Sequence, residues 1–223
     1  MKFAVVPLVL ATAATATPIN IIEDVKNIIW YKKGGDHGKS WSSWGNAGPF
    51  QFTSTYDVVA TPDQVVDSNN TFTGGLAGAI GYFSYGINSR DDVICYNITL
   101  VNFQGEYQSP ALSATHIHQA KKGRAGPPRP DPKNLLTGFH SIAFPNPVPV
   151  PGYQNVRRSI GCLSGPFRTG LNATGTTTDN GEGFTVRQIE EDPEDFFTDV
   201  HSSLAVPGAV RGQLSDGVNS ECD

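Results

Sequence analysis

The chain has 223 residues, a formal net charge of −5, 38% hydrophobic residues and only 17% charged residues. This balance is typical of a globular domain with a sizeable core, and the acidic charge argues against binding to nucleic acid or to an anionic membrane. The 24 glycines and 16 prolines predict many turns and argue against a bundle of long helices.

Residues 1–16 have the pattern of a secretory signal peptide. Lys2 supplies the positive start, residues 3–10 form an apolar run, and Ala14-Thr15-Ala16 matches the small-residue cleavage pattern. We therefore expect a secreted, extracellular protein whose mature chain begins near Thr17. The apolar run is too short to cross a bilayer, and no later segment approaches about 20 apolar residues, so the sequence predicts no membrane span.

Residues 17–51 are predicted to form an N-terminal extension with one short helix, Asn20–Lys33. Apolar residues recur in this segment with a period close to 3.6, Asn20 can cap its start, and two glycines follow its end. The polar, aromatic stretch that follows is expected to pack as part of the extension. A lid over the core or a binding surface is the alternative.

From residue 52 to residue 215 the pattern predicts one β domain, followed by a C-terminal tail, 216–223. Segments rich in β-branched and aromatic residues alternate with turn residues, which favours an antiparallel β-sandwich or barrel. The predicted strands are Thr53–Ala60, Ala77–Tyr85, Val93–Phe103, Ala111–Gln119, Arg157–Leu163, Gly183–Ile189 and Phe197–Leu204. A long proline-rich loop is expected over 123–151, because half of the 16 prolines lie there, and a short helical turn is expected within 188–197.

Three Asn-x-Thr sequons, at Asn69, Asn97 and Asn172, predict N-glycosylation of a secreted chain. Each of these asparagines is accordingly expected at the surface.

The three cysteines predict one disulfide in an oxidising compartment. Cys95 and Cys162 each lie within a predicted strand, whereas Cys222 is the penultimate residue, where chains fray. We therefore favour the pair Cys95–Cys162, with Cys162–Cys222 as the alternative.

A series of motifs runs through the β region in a fixed order. They are GYFSYGIN with VICYNITL, then ATHIHQA with GRAGPP, then CLSGPF, and finally FFTDVHSS with PGAVRGQL. The series resembles the CHRD domain, the module first named in chordin, in the form found in secreted fungal proteins. The resemblance covers about 72–215, and one departure from the family pattern is Pro130–Ser141, which we interpret as a loop insertion or a gene-model artefact.

The informative residues within these motifs are the histidines. His116 and His118 are two residues apart on a predicted strand, so their side chains share one face, and His201 lies in a second strand-like segment. Imidazole suits copper and zinc, and the arrangement is similar to that of extracellular copper/zinc superoxide dismutases. By that similarity His116, His118 and His201 would ligate a metal, and Asp199 would orient a ring from behind the ligands.

Other interpretations of these residues remain open. The histidine pair could form a solvated polar face or hydrogen-bond within a polar core, and the further zinc-binding loop of the dismutases is not matched, since residues 123–151 hold only His140. The acidic cluster at 190–195 is expected to be a solvated helix face rather than a calcium site or a glycosidase pair, and Arg211 a structural anchor.

The sequence predicts a mainly β, immunoglobulin-like or Cu/Zn superoxide dismutase-like domain in a secreted CHRD-domain protein. Its expected role is that of a non-enzymatic binding module at the cell surface, wall or host interface, with an extracellular protein or glycan as partner. The alternative is a copper-binding, superoxide dismutase-like enzyme with a three-histidine site. No cofactor is assigned by the sequence alone, and copper and zinc are the candidate metals.

Overall fold

Ten β-strands dominate the part of the chain that the computed structural model describes, which comprises residues 51–125, 141–172 and 175–221. The strands are β1 (Ser54–Ala60), β2 (Ile80–Asn88), β3 (Val93–Val101), β4 (Thr115–Gln119), β5 (Ile142–Phe144), β6 (Val148–Pro149), β7 (Val156–Ser164), β8 (Phe196–Ser202), β9 (Ala205–Gln213) and β10 (Val218–Glu221). One short helix, α1 (Arg187–Glu191), and 3-10 turns at Pro62–Gln64, Pro193–Asp195 and Leu214–Asp216 complete these elements. The predicted signal peptide, N-terminal helix and Cys222 lie outside the described residues.

The strands form two antiparallel sheets. The larger sheet has the order β10-β1-β2-β3-β7-β6, and the smaller sheet has the order β5-β4-β8-β9. The predicted antiparallel β-sandwich is therefore confirmed. Within the described ranges, no helix is long and apolar enough to cross a membrane.

The core consists of the facing sides of the two sheets, which alternating residues of each strand fill. In β1 the buried positions are Ser54, Tyr56, Val58 and Ala60, and the residues between them point outward. Phe144 of β5 is fully buried and packs against rings of the larger sheet, with ring centroids 5.5 Å from Tyr85 and 5.0 Å from Tyr96. Full burial of such a side chain stabilises the fold by about 1.5–3 kcal/mol.

A disulfide joins Cys95 of β3 to Cys162 of β7, which are direct cross-strand partners. The predicted pair is thus confirmed. Among the sequons, Asn69 and Asn172 are exposed, and Asn97 is half-buried within β3. Glycosylation of these residues stays a prediction.

The predicted strand Gly183–Ile189 is wrong. This segment forms consecutive turns that lead into α1, with the N–H groups of Phe184, Gln188 and Ile189 each donating to the carbonyl three residues earlier. The sequence of this segment resembles a strand because its apolar residues Phe184 and Val186 are two positions apart. Both side chains are buried, but in turns and not in a sheet.

The predicted irregular loop over 123–151 is wrong in its second half, where β5 and β6 lie. The two-residue β6 is an edge strand, so Pro149 interrupts no ladder on its free side. Of the insertion proposed from the sequence, Pro130–Ser141, only Ser141 lies among the described residues; it is buried, and its N–H donates to the carbonyl of Ile117.

Candidate metal centre

Strand β4 is buried on both of its faces. Ile117 points into the core between the sheets, and the alternation of side chains therefore places His116 and His118 on the outer face of the smaller sheet. Both histidines are nevertheless buried, with 0% and 6% of their surface exposed. The interpretation of this pair as a solvated polar face is wrong.

Strand β8 is the direct neighbour of β4, and it brings two more polar side chains to the same face. Asp199 is the cross-strand partner of His116. His201 follows at a register irregularity between Val200 and Ser202. The four side chains His116, His118, Asp199 and His201 form one group, here called the HHDH cluster, whose potential ligand atoms all lie within 4.8 Å of one another.

The carboxylate of Asp199 is at the centre of the HHDH cluster. Its Oδ1 lies 3.5 Å from Nδ1 of His116 and 3.1 Å from Nε2 of His118, and its Oδ2 lies 3.2 Å from Nε2 of His201. The sequence suggested that Asp199 would orient one ring, whereas the structure places it against all three. It can therefore serve as a fourth ligand atom and not only as an orienting group.

Backbone carbonyls hold two of the rings from behind. The Nε2 atom of His116 lies 2.6 Å from the Ser113 carbonyl, and the Nδ1 atom of His201 lies 2.9 Å from the Val206 carbonyl. A carbonyl only accepts, so each of these nitrogens carries the proton and donates. In the neutral tautomers the other nitrogen, Nδ1 of His116 and Nε2 of His201, then presents a lone pair to the cluster, which is the arrangement common for metal-bound histidines.

The charges of the cluster are strongly coupled. Burial opposes ionisation of Asp199, but the attraction of His118 and His201 outweighs it and holds the pKa of Asp199 well below its usual range. Burial also opposes the charged form of His201, yet the attraction of Asp199 raises the pKa of His201 to about 9. Burial lowers the pKa of His118, although Asp199 pulls in the other direction. The metal-free site thus holds a carboxylate and an imidazolium at neutral pH.

A stack of three flat groups supports His118. Its ring lies parallel to the ring of Phe197, with centroids 4.6 Å apart. The guanidinium carbon of Arg211, a residue of β9, lies 3.4 Å from the centroid of the same Phe197 ring. Arg211 also donates to the carbonyls of Lys121 and Arg124, so it anchors the turn after β4. Burial lowers the pKa of Arg211 to about 10, which leaves it charged at neutral pH. Arg211 is the structural anchor that the sequence predicts.

One open cleft, with a volume of about 440 Å³, borders the HHDH cluster. Its walls contain His118 and His201 of the cluster, together with Gln108, Ser109, Pro110 and Val206. The segment before β4 and the start of β9 thus form walls of this cleft beside the cluster.

The acidic residues at 190–195 do not converge on a common site among the described residues. The carboxylate of Glu190 accepts hydrogen bonds from Thr53 and Ser54, at 2.5 and 2.7 Å, and joins α1 to the start of β1. Burial opposes ionisation of Glu190, but hydrogen bonds from Ser89, Thr53 and Ser54 lower its pKa. Asp195 lies 3.5 Å from the exposed Lys121. Glu190 therefore has a structural role that the predicted solvated helix face does not include.

Three histidines and one carboxylate are a donor set that suits zinc and copper. The sequence showed the three histidines but not the role of the carbonyls of Ser113 and Val206, which carry no side-chain signal.

The family model of the CHRD domain matches residues 56–214. No curated protein and no solved structure matches the chain.

Proposed function

The chain belongs to the CHRD domain family, and on that premise we propose that it is a secreted, non-enzymatic protein that binds one zinc or copper ion in the HHDH cluster. The metal would lock β4 to β8 on the outer face of the smaller sheet. The β-sandwich held in this way would present its surface to an extracellular protein or glycan at the cell surface, wall or host interface.

The separation of the ligand atoms is the observation that carries this proposal. Zinc binds imidazole nitrogen and carboxylate oxygen at about 2.0–2.2 Å, so neighbouring ligand atoms of a tetrahedral site are about 3.3–3.5 Å apart. The three distances from the Asp199 oxygens to the histidine nitrogens are 3.5, 3.1 and 3.2 Å. These three distances match a tetrahedral site, and the ligand atoms of the whole cluster, which lie within 4.8 Å of one another, have to draw together on binding.

The electrostatics support the same conclusion. The Nε2 nitrogen of His201, which faces Asp199, is a lone-pair acceptor in the neutral ring, because Nδ1 donates to the Val206 carbonyl. This nitrogen and the Asp199 oxygen 3.2 Å away would repel each other unless a positive charge lies between them. A proton supplies that charge in the metal-free protein, and a divalent cation can supply it when bound.

The same geometry favours binding over catalysis. Structural metal sites have four protein ligands, whereas catalytic sites leave a position open for water or substrate. The HHDH cluster offers four ligand atoms, and the facing nitrogen of His201 is buried. The dismutase-like alternative is not favoured, because four protein ligands would leave no coordination position open for a substrate.

The sequence supports the extracellular part of the proposal. The signal peptide pattern, the sequons at Asn69, Asn97 and Asn172 and the disulfide all fit an exported chain. The likeness of the motifs to those of secreted fungal proteins belongs to this same proposal.

Metal analysis of the mature protein tests the proposal. After equilibrium dialysis against zinc or copper, we expect one ion per chain, and we expect the triple variant His116→Ala, His118→Ala, His201→Ala to lose it. The nearly isosteric Asp199→Asn should bind more weakly than wild type without a change in shape. The matched control removes the other two histidines, His37→Ala with His140→Ala, and should bind like wild type. Retention of the ion by the triple variant, or its loss from the control, would show that the HHDH cluster is not the site.

A further inference from the structure

The four side chains of the HHDH cluster are not equally buried. The exposed fraction of the side chain alone rises from 0% for His116 to 6% for Asp199, 7% for His118 and 15% for His201. His116 is the innermost member and His201 the outermost. His201 is therefore the member of the cluster that solvent reaches most readily, and His118 is the next.

His201 also has the weakest backbone support of the four residues. His116, His118 and Asp199 lie within regular ladders, whereas the register of β8 with β9 passes from Val200–Val210 to Ser202–Ala205 and skips His201. Its N–H still donates to the carbonyl of Ala114, on the side of β4. A residue at such an irregularity beside a hairpin end can move with the smallest loss of ladder hydrogen bonds.

The cleft beside His201 has the size and the chemistry of a site for a small molecule. Its volume of about 440 Å³ equals the liquid volume of about fifteen waters, which fits a molecule of amino-acid size and excludes a folded domain. Pro110 and Val206 supply apolar surface, Gln108 supplies a polar side chain, and the Ser109 hydroxyl accepts from the N–H of Ala111. Because His118 and His201 also line the cleft, a small chelator that carries its own metal-binding groups can meet the outer side of the cluster there.

From these observations we propose that the cleft is the port through which the metal passes between the HHDH cluster and small chelators, and that His201 is the last ligand to bind and the first to leave. In this exchange the bond from the metal to the chelator breaks as the bond to Nε2 of His201 forms, the proton on that nitrogen passes to the released chelator or to water, and the oxidation state of the metal does not change. The inference rests on the proposed function, since it needs a metal in the cluster.

The rate of zinc transfer tests the port. The zinc-loaded mature protein is mixed in a stopped-flow instrument with an excess of a chromogenic zinc chelator, either free or coupled to dextran. Gln108→Trp narrows the cleft at an exposed residue of its wall. Val59→Trp is the matched control, because Val59 is also exposed but lies on β1, on the outer face of the other sheet.

We expect Gln108→Trp to slow transfer to the free chelator at least about tenfold, with an equilibrium affinity for zinc close to that of wild type. Val59→Trp should transfer zinc at the wild-type rate, and the dextran-coupled chelator should be slow with all three proteins. Equal rates for wild type and Gln108→Trp, or equal rates for free and coupled chelator, would overturn the port and leave the metal site standing. Failure of the wild-type protein to bind zinc would overturn both.

Discussion

Replacement of Asp199 by Asn should remove a specific pH dependence of stability from the metal-free protein. Asp199 is the partner that holds His201 in its charged form, 3.2 Å away. The amide has nearly the same shape but no charge, so His201 loses this attraction while its burial remains. The pKa of His201 should then fall from about 9 to its ordinary value or below it.

The size of the effect follows from proton linkage. The folded-state pKa of His201 is about 9, and the unfolded-state pKa of histidine is about 6.5. A group whose folded-state pKa is raised contributes stability that is fully present below the unfolded-state pKa and is lost as the pH rises through the folded-state pKa. Integrated from pH 7 to pH 9, the loss of unfolding free energy is about 2 kcal/mol in the wild type and close to zero in Asp199→Asn.

Urea unfolding in the presence of a metal chelator, at pH 7 and at pH 9, measures this difference. The surface variant Asp216→Asn is the control, because Asp216 pairs with the exposed Lys122, and it should keep the wild-type pH dependence. A wild-type stability that stays constant between the two pH values would refute the coupling of Asp199 to His201. A pH dependence in Asp199→Asn equal to that of the wild type would also refute this coupling.

Further predictions concern the fold. Phe144→Ala should lower the unfolding free energy by about 3–5 kcal/mol, as measured by denaturant unfolding, because Phe144 is fully buried; a loss below about 1 kcal/mol would contradict its core position. Replacement of Cys95 and Cys162 by Ala should cost about 4 kcal/mol, since the bond joins residues 67 apart, and an unchanged midpoint would argue against the bond. Asp179→Asn should lower the melting temperature, because the carboxylate accepts from three backbone N–H groups; an unchanged temperature would contradict this. Mass spectrometry of secreted protein should find Thr17 near its start and glycans on sequon peptides, and an intact Met1 would contradict export.

The strand alternation of the sequence was sufficient to place His116 and His118 on a common face and to predict the sandwich. It could not place His201, because the pairing of β4 with β8 joins residues about 80 positions apart and is decided by packing of the whole core. The central position of Asp199 depends on the same pairing. It could be predicted only once the register that sets Asp199 opposite His116 was known.

Local sequence pattern predicts the wrong element where burial comes from turns. Phe184 and Val186 are buried by turns around α1 and not by a strand. The high proline content likewise predicts a loop where β6 forms; this strand tolerates Pro149 because it lies at the edge of the sheet. The burial of the histidine pair could not be predicted from the sequence either, since the segment before β4 that lies beside it has no periodic pattern of apolar residues.

X-ray absorption at the zinc edge tests the metal centre most directly. The mature protein loaded with one equivalent of zinc should show four nitrogen or oxygen neighbours at about 2.0–2.1 Å, with the outer-shell scattering of three imidazole rings. The Asp199→Asn variant should keep the imidazole scattering while its first shell changes. A zinc ion surrounded by six oxygens without imidazole scattering would contradict the proposed site and the function built on it.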